Sequence, residues 1–277
     1  MSDPWGSRPS NPQPPEGPDD AGRWAPPPQW EPAPSADELA YLPAEDPAAS
    51  PFGMNLGYAV DIVFVIDITG SMGAVIDAVK AGALTFHDRL LATMAEKGKY
   101  VTGLRLRIVA YRDVYDNPAD ALFATPFFRL PGDGPHFQAY VDGLFAQGGG
   151  DEPESGLEAL AVAMGSDWER GMDRRRHVIV VFTDASAHPL EASHGRTLPP
   201  HVGVVGSFDE LTDRWDDPQG AQMEFAAKRL LLYAPDVYPW QVISTNWANV
   251  LHFPSRAGEG LGEVEFSQII DAIAGSV

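Results

Sequence analysis

The chain has 277 residues, of which 44% are hydrophobic, so it can form a sizeable buried core. Its formal net charge of −20 disfavours general nucleic-acid binding, which needs a basic face, and docking on an anionic membrane. There is no cysteine, which excludes disulfide bonds, thiolate catalysis and zinc–sulfur centres.

Residues 1–53 differ in composition from the rest of the chain. They hold 14 of the 26 prolines and lack a sustained apolar period. We predict a disordered acidic tail, because such a segment cannot bury enough apolar surface to offset the entropy lost on ordering. The tail also carries Trp5, Trp24 and Trp30, so it is either an inert extension or a docking segment for a second protein. Without a basic segment leading into an apolar stretch, and with no apolar run long enough to span a membrane, we expect a cytoplasmic protein.

Residues 54–277 alternate apolar runs of strand length with segments of helical periodicity, which predicts one domain. Residues 61–67 form the first apolar run and predict a strand buried on both faces. A helix over 72–97, ended by Gly98, and a strand over 104–111 follow. Next come a hairpin-like strand over 125–130, a helix over 136–145 and a helix that Pro153 opens and that runs to residue 164.

The later elements continue the alternation. They are a strand at 177–182, a loop over 190–206, a helix over 219–233 stopped by Pro235, strands at 241–244 and 249–252, and a C-terminal helix over 266–273. Strands that alternate with helices indicate a doubly wound, mainly parallel α/β sheet with helices on both faces.

Polar side chains follow the predicted strands where ligands bind in such sheets. Asp67 ends the first strand, and Thr69 and Ser71 follow it at alternate positions. Asp184 ends a later strand, and Asp151 stands between three glycines and the start of a helix. Because sites form at the carboxyl ends of parallel strands, we expect these oxygens to converge on a divalent cation. Mg²⁺ suits them best, although Mn²⁺ and Ca²⁺ accept the same ligands.

The same segments resemble a known family. The Asp-x-Thr-x-Ser run at 67–71 resembles the Asp-x-Ser-x-Ser signature of von Willebrand factor A domains, and Thr183-Asp184-Ala185 resembles their Thr-Asp-Gly turn. The loop ending at Asp151 falls where the family has a glycine-glycine-threonine loop. The sequences of these motifs are similar to those of a subgroup that is joined to alpha-kinases and to those of related bacterial stand-alone proteins. The resemblance covers residue 58 to the end and implies a six-stranded, mainly parallel, Rossmann-like sheet with a metal-ion-dependent adhesion site.

Carried over by position, the resemblance makes Thr69 and Ser71 direct hydroxyl ligands of the metal. It makes Asp67 and Asp184 ligands that bind directly or through water, and it puts Asp151 in place of the family's threonine. A third carboxylate neutralises more of the cation's charge, so we expect tighter metal retention and a weaker pull on an incoming carboxylate than in adhesion receptors.

These ligands predict a non-enzymatic module that binds a protein partner through its metal. Asp67 alone is also consistent with a helix N-cap. Asp113 is consistent with either an acceptor behind a ligating hydroxyl or a structural residue that pairs with Arg112 or starts a turn. His188 is either a rim residue or a structural one. The alternative function is phosphoryl transfer with Asp67 as the nucleophile and Mg²⁺, although position 68 is isoleucine where such loops usually carry lysine.

Overall fold

The computed structural model describes residues 57–116, 118–148, 152–171, 174–193, 205–217, 222–255 and 266–276. The predicted tail over residues 1–53 lies outside this part of the chain. Its disorder, its docking role and the boundary at residue 54 therefore stay predictions.

A mainly parallel sheet forms the centre of the described fold. Its strands are β1 Tyr58–Asp67, β2 Val101–Tyr111, β3 Leu122–Ala124, β4 Phe128–Leu130, β5 Arg175–Phe182, β6 Lys228–Pro235 and β7 Val250–Ser255. They lie in the order β3-β2-β1-β5-β6-β7, with β4 pairing with β2 beside β3. Only β3 and β4 run antiparallel to their neighbour. Of the hairpin-like strand predicted over 125–130, only residues 128–130 form a strand, β4, and β3 precedes the predicted range. Since β3 and β4 both pair with β2 on the same side, seven described strands occupy six positions.

Helices cover both faces of the sheet, as the sequence predicted. They are α1 Gly73–Glu96, α2 Gly134–Asp142, α3 Gly156–Met164, α4 Phe208–Asp216, α5 Trp240–Asn246 and α6 Phe266–Ser276. Helices α1, α2 and α6 pack on one face, and α3, α4 and α5 pack on the other. Alternate residues of β1 enter the two cores, which explains why its sequence is apolar throughout. No helix in the described ranges is long and apolar enough to cross a membrane.

The predicted helix over 219–233 is wrong. Residues 228–235 form β6, whose side chains enter both cores in alternation, so the run is apolar without a period that separates strand from helix. The helix of this region is α4, which begins after Ser207. The Ser207 hydroxyl accepts a hydrogen bond from the Glu210 amide at 3.1 Å, and the Glu210 carboxylate accepts one from the Gly206 amide at 2.7 Å. This Ser-x-x-Glu cap is a helix signal that the prediction overlooked.

Two further assignments differ from the prediction. The strand predicted at 241–244 lies within α5, where Trp240, Ile243 and Trp247 are buried at helical spacing. Pro153 does not open a helix, because α3 begins at Gly156. Before it, Glu154 forms an isolated parallel bridge with Ala187, which keeps the backbone extended.

Gly156 begins α3 where helix and sheet approach most closely. A Cβ at this position would lie 2.7 Å from Cζ2 of Trp240 and 3.2 Å from the Tyr111 hydroxyl. Both neighbours are buried aromatic side chains with little freedom to move.

We therefore expect Gly156→Ala to lower the free energy of unfolding by about 1–3 kcal/mol, because the added methyl group overpacks the core. Urea unfolding followed by tryptophan fluorescence measures this change. Gly103→Ala is the matched control, because a Cβ there meets nothing within 4 Å. Equal effects of the two substitutions would contradict this account of the α3 packing.

Candidate functional site

Asp67 lies at the carboxyl end of β1 and is fully buried. Its Oδ1 accepts hydrogen bonds from the Thr69 amide at 2.9 Å and from the Thr69 hydroxyl at 2.6 Å. Its Oδ2 accepts a hydrogen bond from the Thr183 hydroxyl at 2.8 Å. Both oxygens are thus held by groups from two different loops, which fixes the direction of the carboxylate.

Ser71 connects the loop after β1 with the loop after β5. Its hydroxyl donates to Oδ1 of Asp184 at 2.9 Å. Asp184 is only 1% exposed, whereas Ser71 is exposed, so the pair lies where the buried part of the site meets the surface. Four of the five predicted ligands, Asp67, Thr69, Ser71 and Asp184, therefore lie close together, and their binding of a metal stays a prediction.

The electrostatic environment of Asp67 disfavours its charged form. Burial raises its pKa from 3.8 to about 6, and the charge of Asp184 acts in the same direction, against the hydrogen bonds from Thr69 and Thr183. Burial also raises the pKa of the Tyr111 phenol well above its usual value, with the charges of Asp67, Glu154 and Asp184 adding to the effect. Two carboxylates thus share a poorly solvated space.

A third loop, between α2 and α3, is attached to the loop after β1 by backbone hydrogen bonds. The Gly70 amide donates to the Gly148 carbonyl at 2.8 Å, and the Gln147 amide donates to the Ile68 carbonyl at 3.0 Å. Gly148 has a φ of +74°, and a Cβ at Gly70 would lie 3.1 Å from the Gly148 carbonyl oxygen. Glycine at 148 suits the left-handed backbone, and glycine at 70 permits the close approach of the two loops.

The Arg112 side chain contacts the same loop at two residues. Its Nε donates to the Gln147 carbonyl at 3.0 Å, and its guanidinium lies 5.4 Å from the centre of the Phe145 ring. Burial lowers the pKa of Arg112, and the negative charges of Asp120 and Asp67 partly oppose that shift. Arg112 thus lies within electrostatic reach of Asp67, while its hydrogen bonds hold backbone carbonyls.

On its far side, the third loop is attached to the loop after β5. The Glu152 carboxylate accepts hydrogen bonds from the Ser186 amide at 3.3 Å and the Ser186 hydroxyl at 3.2 Å. The Glu154 amide donates to the Ser186 carbonyl at 3.0 Å. Asp151, the fifth predicted ligand, lies outside the described residues, so its role stays a prediction.

Asp113 forms a turn beside the site. Its Oδ1 accepts hydrogen bonds from the Tyr115 amide at 2.9 Å and from the Ser155 hydroxyl at 3.2 Å. Its Oδ2 lies 3.3 Å from Nε2 of His188, whose ring lies 4.2 Å from that of Tyr115. The turn was one of the two roles expected for Asp113, and His188 has a structural role in this network.

Sequence reasoning missed two hydroxyl residues here. Thr183 was recognised only as part of a motif, and its hydrogen bond to Asp67 follows from the pairing of β1 with β5, which places Ile66 opposite Phe182. Ser155 gave no signal beyond its place before a helix, because its partners, the Asp113 carboxylate and the Val114 amide, are distant in sequence.

The donors of this site are all oxygens of the kind that hard divalent cations prefer. Thr69 and Ser71 each donate a proton to a carboxylate, which leaves hydroxyl lone pairs for a cation. Within the described part of the chain, no group of three or more His, Asp or Glu side chains comes together that could hold a metal. The possible ligands are therefore the carboxylates of Asp67 and Asp184 together with the hydroxyls of Thr69 and Ser71. These oxygens fit Mg²⁺.

We expect the metal-free protein to become less stable as pH rises. The pKa of Asp67 is raised from 3.8 to about 6 on folding, so the folded state binds the proton more tightly than the unfolded chain does. The resulting stabilisation is present below pH ~4 and is lost as pH rises through ~6, by up to about 3 kcal/mol. Urea unfolding in EDTA across this range measures it. Asp67→Asn should remove this part of the pH dependence, and an unchanged slope in that variant would assign the dependence to other groups.

The chain has similarities to solved structures and to one protein family. The alignments with the open conformation of the pilus adhesin SpaC from Lactobacillus rhamnosus GG and with the minor pilin PilB from Streptococcus sanguinis have 14% and 12% identity and TM-scores of 0.44 and 0.42. Each covers 80% of this chain, but only 30% of SpaC and 63% of PilB. No curated protein matches the sequence. Residues 61–194, which include Asp67, Thr69, Ser71 and Asp184, match the family model of the von Willebrand factor A domain.

Proposed function

We propose that this chain is a non-enzymatic module that binds a protein partner through a divalent cation, most readily Mg²⁺. Asp67, Thr69, Ser71 and Asp184 would hold the cation, together with Asp151. When bound, the cation would supply a Lewis-acidic point that accepts an oxygen ligand from the partner. Mn²⁺ and Ca²⁺ accept the same donors.

One contrast within β1 carries this proposal. Both Asp61, in the first half of the strand, and Asp67, its last residue, are buried. Arg105 neutralises Asp61, to which it donates from Nε at 2.8 Å and from Nη2 at 2.6 Å. Asp67 instead accepts hydrogen bonds from uncharged groups and has a second carboxylate nearby. Because a buried charge is costly unless it is compensated, the Asp67 end of the strand is suited to a cation from solution.

The arrangement of buried and exposed groups favours binding over catalysis. The carboxylates of Asp67 and Asp184 are buried, whereas Gly70 and Ser71 are exposed. The buried carboxylates would hold the cation, and a partner would reach it from the exposed side, at Gly70 and Ser71. Phosphoryl transfer, the alternative function, needs an accessible aspartate aligned with the transferred group. The burial of Asp67, with hydrogen bonds to both of its oxygens, weighs against that role.

Asp151 is the predicted ligand that would distinguish this site from the usual site of von Willebrand factor A domains, which has a threonine at this place. On one side of it, the described loop is bonded to Gly70, and on the other side it is bonded to Ser186. A carboxylate there would raise the negative charge around the cation. The proposal has three further parts. The domain would be most similar to those joined to alpha-kinases, the tail over 1–53 would bind a second protein, and the protein would be cytoplasmic.

The proposal predicts that Asp67→Asn and Asp184→Asn each weaken Mg²⁺ binding by at least about tenfold, since even groups behind metal ligands typically contribute that much. Isothermal titration calorimetry on the full chain measures the affinity. Asp88→Asn is the matched control, because the Asp88 side chain is 86% exposed on α1, away from the strand ends.

The same variants test partner binding. Affinity capture in Mg²⁺ should retain partners that are lost in EDTA and with Asp67→Asn, but kept with Asp88→Asn. A chain lacking residues 1–53 would identify any partner that binds through the tail instead. The proposal fails if Asp67→Asn binds Mg²⁺ like the parent, or if EDTA leaves the captured proteins unchanged.

A separate prediction concerns Asp151. We expect Asp151→Thr to bind Mg²⁺ more weakly than the parent, because a neutral hydroxyl replaces a carboxylate. Calorimetry again measures the difference. If the variant holds Mg²⁺ as tightly as the parent, Asp151 is not a ligand, and the assignments of the other four residues are unaffected.

A further inference from the structure

An aromatic ladder runs from the surface into the core beside the metal-binding residues. Tyr238 is 47% exposed, and its ring centre lies 6.0 Å from that of Phe208. Phe208 continues to Trp247 at 6.2 Å, and Trp247 stacks on Trp215 at 5.3 Å. Trp215 is 1% exposed, so the ladder ends in the core. The exposed tyrosine is therefore backed by a continuous series of rings.

Hydrogen bonds hold the inner rings in place. The Trp215 indole donates to the Ala248 carbonyl at 2.9 Å, and the Trp247 indole donates to the Thr212 hydroxyl at 3.1 Å. An exposed ring with fixed support loses little conformational freedom when a partner covers it. Such preorganised aromatic side chains are typical of energetically important positions in protein interfaces.

Two exposed carboxylates flank the ladder at its outer end. Glu191 accepts a hydrogen bond from the Phe208 amide at 3.3 Å, and Asp209 follows Phe208 in the first turn of α4. Partial burial raises the pKa of the Tyr238 phenol, and the charges of Glu191 and Asp209 add to this shift, which places both near the ring. We call Tyr238, Phe208, Glu191 and Asp209 the Tyr238 platform.

The platform and the metal-binding residues lie at the same end of the sheet. Tyr238 stands between the end of β6 and the start of α5. Two residues later, the Trp240 indole donates to the Ala185 carbonyl at 2.9 Å, and Ala185 is the neighbour of Asp184. Glu191 belongs to the segment that follows Asp184 after β5. Both places therefore lie at the carboxyl ends of the strands.

We propose that the Tyr238 platform receives a lysine or arginine side chain of the protein partner that the metal site binds. The cation would lie against the face of the Tyr238 ring, with Glu191 and Asp209 beside it. This assignment rests on the proposed function for the link to the metal, while the platform's preference for a cation stands on its own residues.

The chemistry of the platform selects a basic occupant over an apolar one. An exposed aromatic ring attracts cations through the negative potential of its face. An apolar side chain on Tyr238 would instead remove water from two carboxylates without compensating their negative charge, which is unfavourable. The formal net charge of −20 also attracts basic segments over longer distances.

Immobilised synthetic peptides test the inference with the full chain as the soluble probe. Each peptide carries one glutamate and, at varied spacing, one arginine, lysine or glutamine in a glycine–serine background. A second set lacks the glutamate. In Mg²⁺, the best arginine or lysine peptides should bind about five- to tenfold more tightly than their glutamine counterparts, as an exposed cation–π contact plus ion pairing allows.

Variants assign that preference to the platform. Tyr238→Ala and the double variant Glu191→Gln/Asp209→Asn should each reduce it to about twofold or less, whereas Tyr238→Phe, which keeps the ring, should preserve most of it. Tyr100→Ala and Asp88→Asn are the controls. Tyr100 is 61% exposed next to the first residue of β2, at the opposite end of the sheet, and Asp88 is an exposed acid on α1. Thermal unfolding confirms that each variant is folded.

The outcomes separate this inference from the metal proposal. A preference for basic peptides that depends on Tyr238, without any Mg²⁺-dependent preference for glutamate, would support the platform and refute the metal proposal. A Mg²⁺-dependent preference for glutamate without a preference for basic peptides overturns the platform and leaves the metal proposal intact. Equal loss with Tyr238→Ala and Tyr100→Ala, or no binding of any peptide, also overturns the platform.

Discussion

The hydrogen bond from the Thr183 hydroxyl to the Asp67 carboxylate joins the ends of two neighbouring parallel strands. It forms because β1 and β5 pair in register, with Ile66 opposite Phe182, so the next residues of the two strands also lie side by side. The hydrogen bond from Ser71 to Asp184, which follows β5, depends on the same register. If β5 slipped by one residue, its apolar side chains would exchange faces, and both cores would lose their packing. The packing of the two cores therefore also fixes the position of the carboxylates.

This dependence explains how the fold tolerates an unfavourable group. The charged form of Asp67 is destabilised by burial and by Asp184, yet β1 passes through the middle of the sheet with apolar residues on both faces. Burial of those apolar residues stabilises the strand in a single position, so Asp67, its last residue, is held in its buried position as well. Sites of ligand binding commonly combine an unfavourable local arrangement with a surrounding structure that enforces it. Here the strand enforces the arrangement, and the proposed ligands lie at its end and in the loops.

The parts of this site that sequence could predict are the local ones. Asp67, Thr69 and Ser71 are close in sequence, and the apolar strand before them gives their position in the sheet. Fully buried strands carry no period, which is why the run containing β6 was assigned to a helix. Asp184 could be placed near them because it ends a later strand, whereas the other contacts between distant segments left no comparable signal. The Tyr238 platform joins residues from three separate segments, and only the tertiary fold brings them together.

A metal ion by itself recognises little of a partner, because any accessible carboxylate or other hard oxygen can coordinate it. Specificity must then come from groups around the cation that favour one partner and disfavour others. In this chain, such groups follow from the topology, since the segments after β5 and β6 and the start of α4 reach the surface at the same end as Asp184. The buried indoles of Trp240 and Trp247 donate to the Ala185 carbonyl and the Thr212 hydroxyl, which attaches these segments to the core. Under the proposed function, the cation would supply an undiscriminating contact and the surrounding groups a selective one on the same partner segment, and the selective contact would determine which oxygen ligand the cation receives.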